Sequence, residues 1–308
     1  MKKTVKNLPA SVRQRLLNKA CSDKRDFNEL LHYYAMERFL YRLSSSKHSE
    51  KFILKGALLF TVWDVPASRA TMDIDLLGKI KNDPNGIASV IKEICSQSVV
   101  EDGLRFEAST IKTERIVVDA DYKGVRVQFT GFLEKSRIPM QIDVGFGDPV
   151  LPGPVQLDYP VLLDFPAPRL IGYRQENSIA EKFNAMCTRG MRNSRMKDFY
   201  DIWLLCRRFD FDGSELSKAI ESTFQSRHLE IPAEPLALGP TFGEDKNKMA
   251  YWKGFLRKIK ITNAPQDLGT VVKVLKRFLG PVTESLAAGK PFHGKWKAPG
   301  PWKGLGKK

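Results

Sequence analysis

Lys55-Gly56-Ala57, followed by Arg69-Ala70-Thr71-Met72-Asp73-Ile74-Asp75-Leu76-Leu77, sets two carboxylates one residue apart inside an apolar run. On a strand alternate side chains share a face, so Asp73 and Asp75 point one way while Met72, Ile74 and Leu76 point into a core. Two like charges that close repel, and burying them without a cation costs several kcal/mol, so a bound divalent metal is the economical reason for the pair. Oxygen-only ligands suit Mg2+ or Mn2+ rather than zinc. An ordinary solvated strand face is the alternative, and the residues just before weigh against it. Phe52-Ile53-Leu54 reads as a short strand, Lys55-Gly56 as a tight turn, and Ala57 to Trp63 as a helix. The N-terminal amides of that helix face the turn, a ready site for phosphate.

A third carboxylate comes later. In Pro139 to Asp148, Met140, Ile142, Val144 and Phe146 alternate with Gln141, Asp143 and Gly145, so Asp143 lies on the polar side of a half-buried strand. If that strand neighbours the first, Asp73, Asp75 and Asp143 form a cradle for two metals in an in-line nucleotidyl transfer. Tyr159 to Pro168 reads as a connector. Ser178 to Met186 then reads as a helix opening with a capping box from Ser178 to Glu181 and ending at Gly190. After the turn Arg192-Asn193-Ser194, a second helix covers Arg195 to Leu205. Its Phe199, Ile202, Trp203 and Cys206 recur at helical spacing and make a core stripe, which leaves Lys182, Arg195, Lys197, Asp198 and Asp201 as polar candidates.

Taken together, Leu54-Lys55-Gly56-Ala57, Arg69 with Asp73-Ile74-Asp75, Glu181-Lys182 and Arg195-Met196-Lys197-Asp198-Phe199-Tyr200-Asp201-Ile202 resemble the AbiEii/AbiGii nucleotidyltransferase toxins. These belong to the DNA polymerase β-like superfamily and include the MenT-type tRNA nucleotidyltransferases. The resemblance runs from about residue 30 to about residue 210. It implies an α+β fold, with a polymerase β-like core built on a mixed sheet and a helical C-terminal domain. It also implies metal-dependent transfer of a nucleotide from a nucleoside triphosphate, onto the 3′ end of tRNA in MenT-type members. By position, Asp73 and Asp75 match the family's metal-binding pair, Lys182 its phosphate-contacting lysine, and Asp198 the second essential acid of its K-D-x-x-D run. Lys55 and Gly56 at the phosphate turn, with Arg69, Arg195 and Lys197, complete the substrate-binding candidates, and Arg69 and Lys182 would offset charge on the leaving pyrophosphate. Many superfamily members carry Gly-Ser before the helix; this chain has Gly56-Ala57, so backbone amides must serve there. The partners so implied are a nucleoside triphosphate, RNA and a separately encoded antitoxin, in a toxin–antitoxin or phage-defence pair.

Two other readings are a non-catalytic RNA-binding protein that blocks translation by occupancy, and an enzyme that modifies a protein or small molecule. The intact Asp73, Asp75 and Lys182 weigh against the first, and charge weighs against the second. Lys and Arg total 50 against 35 acids, a net +15 and a pI near 9.6, which favours nucleic acid or an anionic membrane surface as partner. No apolar run approaches the roughly 18 residues of a spanning helix, and no apolar signal core follows Met1-Lys2-Lys3, so a soluble cytoplasmic protein is expected. The four cysteines and four histidines are scattered, without the spacing of a zinc site or a disulfide framework.

The length accommodates two cores. Residues 1–168 read as the transferase domain, with helices near Ser11 to Leu17, Asp26 to Leu43 and, capped by Asp83-Pro84, up to about Gln97. Its strands fall near 104–110, 114–119 and 125–132, with a hairpin turn at Asp121-Tyr122-Lys123-Gly124. Residues 169–288 turn helical from about Ile171, including Lys248 to Ile261 and Leu268 to Leu279. Residues 289–308 carry six Lys, two Trp and no acid, and read as a flexible basic tail suited to nucleic acid.

Overall fold

The computed structural model describes residues 7–65, 70–117, 123–259 and 264–304. Arg69, the expected turn residues Asp121 and Tyr122, and Ile261 lie outside them. Asn7 and Asp26 each place a side-chain oxygen on the free amides of a first turn, and so start α1 (Leu8–Asp23) and α2 (Phe27–Ser44). β1 (Phe52–Lys55) runs into a 3-10 turn beginning at Gly56 and then the short α3 (Leu59–Val62). There follow β2 (Ile74–Gly78), the Asp83-capped α4 (Pro84–Cys95), β3 (Leu104–Val117), β4 (Lys123–Leu133) and β5 (Ser136–Phe146). β6 (Val155–Asp158) and β7 (Arg169–Gly172) complete a seven-stranded mixed sheet in the order β3-β4-β5-β2-β1-β7-β6.

The chain divides into two compact units. Of the described residues, the first takes those up to Asp64, Ala70–Gly147 and Val155–Gly172; the second takes Val65, Asp148–Pro154 and those from Tyr173. One face of the first unit's sheet is its core. Val125, Val127, Phe129, Met140, Ile142 and Val144 are buried there, and the rings of Phe39, Phe106 and Phe129 meet with centroids 5.6 to 5.9 Å apart. Between them Arg126, Gln128, Gln141 and Asp143 stay half-buried or exposed, as strand alternation requires.

Several expectations need correction. Met72 is 52% exposed, because β2 begins at Ile74 and its alternation does not extend back to Met72. Over the described residues, the strands expected near 104–110 and 114–119 are the one strand β3, ending at Val117, whose register shifts between Glu107 and Lys112; that irregularity breaks the period-two pattern. Residues 155–158 and 169–172 are short strands, so the helical pattern starts at Gln175 rather than near Ile171.

The second unit holds α5 (Gln175–Arg189), α6 (Met196–Arg208), β8 (Phe211–Asp212), α7 (Gly213–Ser226), α8 (Pro240–Gly243), α9 (Lys246–Ile259), α10 (Leu268–Ala287), β9 (Lys295–Trp296) and β10 (Trp302–Lys303). α5 begins three residues before Ser178. Asn177 Oδ1 accepts from the Arg174 amide at 3.3 Å and Ser178 is buried within the first turns, so Ser178 and Glu181 form no capping box. Gly190, at φ 46°, ends the helix as expected. Phe199, Ile202, Trp203 and Cys206 are buried along α6, the stripe read from their spacing.

Residues 289–304 are not a flexible arm. β9 and β10 join β8 in a three-stranded sheet, and Trp296 and Trp302 are buried against Phe278 with centroids 4.8 and 5.6 Å away. Each indole N–H also finds a carbonyl, Cys206 O at 2.6 Å for Trp296 and Phe278 O at 2.7 Å for Trp302. An indole that satisfies both its apolar ring and its polar edge stays buried.

Candidate active site

β2 runs parallel to β5 with Asp75 opposite Asp143, and Asp73 stands just before β2. Asp73, Asp75 and Asp143 each offer a carboxylate oxygen within 4.8 Å of the other two. At that separation each pair of charges repels by about 3 kcal/mol for an effective dielectric near 20. A guanidinium among the described residues answers one of them. Arg126, the cross-strand partner of Asp143 on β4, donates from Nε to Oδ1 at 2.8 Å and from Nη2 to Oδ2 at 2.9 Å. This bidentate pairing pushes the Arg126 pKa up. Three gathered carboxylates attract a cation, and an all-oxygen donor set fits a hard divalent one such as Mg2+ or Mn2+.

α2 fixes the approach to β2. His32, buried on α2, has Nε2 2.9 Å from Met72 O, and burial pushes its pKa down. Its neighbour Tyr33 accepts the Thr71 amide at 3.1 Å, and Thr71 Oγ1 donates to Asp73 Oδ1. On the other flank, Lys55 is in register with Asp75 across the β1–β2 ladder. Gly56 follows at φ +75°, so close to Asp75 that a Cβ added there would lie 1.9 Å from Asp75 Oδ2. The turn expected to cradle phosphate thus abuts a carboxylate of the triad, and only glycine fits it.

A second polar cluster sits in the other unit. Lys182 on α5 places Nζ 2.9 Å from Asp201 Oδ2 and 3.9 Å from Asp198 Oδ1. Arg195 Nε lies 2.8 Å from Asp198 Oδ2, an ion pair without the alignment of a hydrogen bond. Asp198 is fully buried and Asp201 nearly so, which no solvated first-turn acid would be. Lys182 therefore has Asp201 as its close partner and Asp198 as a more distant one. Lys197 is exposed on α6.

Sequence reasoning missed Arg126 and the α2 residues His32 and Tyr33, which hold Asp143 and the approach to Asp73. Asp143 and Arg126 could have been matched by register, had the Glu134-Lys135 turn been read.

The sequence matches the profile of the family described as "Nucleotidyl transferase AbiEii toxin, Type IV TA system" over residues 38–274. No curated protein matches it. Among solved structures, JHP933 from Helicobacter pylori is similar at 12% identity, over 85% of this chain and 92% of that one, with a TM-score of 0.46. Another H. pylori crystal structure, of a protein assigned as a nucleotidyltransferase, shares 13% identity over 84% and 95% of the two chains, with a TM-score of 0.44. Likenesses this distant carry no argument.

Proposed function

Because the chain belongs to the AbiEii family of nucleotidyl transferase toxins, we propose that it moves a nucleotide from a nucleoside triphosphate to an RNA 3′-hydroxyl, with the 3′ end of tRNA as acceptor. The observation that carries this reading is the register of Asp75 against Asp143, which gathers three carboxylates where a metal-assisted phosphoryl transfer needs them. Transfer forms a bond from the acceptor oxygen to the α-phosphorus and breaks the bond to the bridging oxygen of the β-phosphate, releasing pyrophosphate and a proton.

Asp73, Asp75 and Asp143 would hold Mg2+ or Mn2+, which when bound supplies Lewis-acid chemistry toward the triphosphate and the attacking hydroxyl. Arg126 fixes the plane of the Asp143 carboxylate, and the α2 contacts fix Asp73. The amides after Gly56 receive phosphate oxygens without a serine hydroxyl. Lys182 is the phosphate-contacting lysine of this reading; Asp201 holds its ammonium in place, and Arg195 does the same for the Asp198 carboxylate. Arg69, Lys55 and Lys197 remain candidate substrate contacts.

Charge supports a polyanionic acceptor. Residues 246–280 hold nine of the 50 cations and one of the 35 acids, a net +8 of the chain's +15. On α9, Lys246, Lys253, Arg257 and Lys258 are exposed beside an exposed Tyr251. Lysines meet phosphates and an aromatic ring can stack on a base. A protein that only occupied RNA would gain nothing from three paired acids. No described helix is long and apolar enough to cross a membrane, and the cytoplasm, where RNA and an antitoxin would be met, is the proposed location.

Incubating the protein with total RNA and each α-labelled nucleoside triphosphate, with Mg2+ or with chelator, tests this. Label should enter RNA only with metal, and not with Asp75→Ala. Label found on protein or small molecules, or incorporation that survives chelation, would refute it.

A further inference from the structure

β2 begins at Ile74, opposite Ile142, so residues 136–141 of β5 have β4 on one side and no described strand on the other. A cleft of about 680 Å³ opens there. Its lining includes Gln141 of β5, Gln128 of β4, Lys112 of β3, Arg137, His32 and the exposed Met72. Gln141 and Gln128 sit two residues along their strands from Asp143 and Arg126, on the same face and roughly 7 Å away. Gln128 Nε2 donates to Gln141 Oε1 at 3.2 Å, tying the two amides into one floor. Among the described residues no acidic side chain lines the cleft, whereas Lys112 and Arg137 do. The volume lies within the range of clefts that hold nucleotide-sized ligands, roughly 300 to 1,000 Å³.

Position supplies the second argument. In the sheet, β2 lies between β1 and β5. The Gly56 turn reaches Asp75 from the β1 side, and the cleft lies on the β5 side, its Gln141 and Gln128 two residues along the strands from Asp143 and Arg126. Attacking and leaving oxygens lie on opposite sides of the phosphorus in an in-line displacement. A triphosphate held at the Gly56 turn therefore leaves the β5 side to the acceptor.

We propose that this cleft is the acceptor subsite. It receives the 3′-terminal nucleotides of the RNA, with Lys112 and Arg137 on phosphates, the Gln128 and Gln141 amides on bases, and Met72 as an apolar surface for stacking. The proposal rests on the RNA-transfer reading above. It assigns residues that touch the acceptor and leave the triphosphate alone.

The test uses the full-length protein, bulk tRNA as acceptor and the triphosphate that labels it. Lys112→Gln with Arg137→Gln changes two exposed side chains, so the melting temperature should hold. Acceptor KM should rise about tenfold, and the log–log salt slope of tRNA binding should flatten by about 1.4, two contacts at about 0.7 each. Triphosphate KM should stay within about twofold. A second variant, Gln128→Trp, fills the cleft; it should suppress labelling at every RNA concentration while the folded protein still binds labelled triphosphate. An unchanged acceptor KM, or an equal rise in both KM values, overturns the assignment. If the wild type labels tRNA and both variants label it equally well, the cleft assignment alone fails. If the wild type labels protein or small molecules and no RNA, the transfer reading fails and the cleft assignment falls with it.

Discussion

Gly56→Ala separates the geometry of the triad from the stability of the fold. The new methyl meets two obstacles. The first is backbone: at φ +75° an L-residue costs about 1 to 2 kcal/mol more than glycine. The second is Asp75, whose Oδ2, Cγ and Cβ would lie 1.9, 2.6 and 2.7 Å from the added carbon. Contacts below 3.0 Å do not survive, so the carboxylate must retreat by at least 1.1 Å, the difference between 3.0 and 1.9. A displacement of about 1 Å in a reacting constellation lowers rate by roughly 100-fold, equivalent to about 2.7 kcal/mol. The melting temperature should fall by only about 2 to 8 °C, from the strain alone. Gly147→Ala is the control, since Gly147 has φ +81° with nothing within 4 Å of an added Cβ. It should show a comparable loss of stability and an ordinary rate. Calorimetry with initial rates of label transfer across a Mg2+ titration measures both quantities. If Gly56→Ala transfers nucleotide within threefold of wild type at the same Mg2+ requirement, Asp75 is not where the chemistry happens.

Trp296→Ala should destabilise the protein by about 3 to 5 kcal/mol in urea titrations, and deletion of 289–308 by at least as much; an unmoved midpoint would return this segment to the solvent. Lys253→Gln with Arg257→Gln should flatten the log–log salt dependence of tRNA binding by about 1.4 while leaving the melting temperature in place, as read by anisotropy. Burial pushes the Glu37 carboxyl up to about 7 from an ordinary 4.5, partly offset by the neighbouring Arg38. The folded state then holds that proton more tightly than the unfolded chain, so stability is fullest below pH 4.5 and declines as pH rises toward 7. Glu37→Gln should flatten that decline in unfolding midpoints taken across the window, and an unaltered profile would mean another group controls it.

Much of the triad could be read in the sequence because strand alternation is local. Asp73-Ile74-Asp75 and the Met140 to Val144 alternation each announce a polar face without help from distant residues. That the two strands are parallel neighbours is a non-local fact, and nothing in either stretch encodes it. Arg126 was hidden for a narrower reason. The β4–β5 hairpin turns at Glu134-Lys135, with Glu134 at φ 53°, and neither residue carries the Gly, Asn or Asp signature of a tight turn. Once Leu133 is set opposite Ser136, counting back along both strands brings Arg126 opposite Asp143. The C-terminal segment misled through composition. Pro, Gly and Lys read as unstructured, while two indoles suffice to dock it when Phe278 and two carbonyls await them. Lys182 and Asp198 were legible as residues on neighbouring helices, but the closer partnership with Asp201 depends on how α5 packs on α6.

The pairing of Phe211 with Trp296 joins positions 85 residues apart, 296 less 211. Contacts of such sequence separation form late and raise contact order, because the intervening chain must be ordered before the contact stabilises anything. During synthesis, Phe211 and Phe278 stay without their indole covering until Trp296 and Trp302 have been made. A nascent chain interrupted before Lys295 would present an aromatic surface to chaperones and proteases. The abundance of this protein should therefore depend sharply on whether its ribosome translates past Trp296 and Trp302.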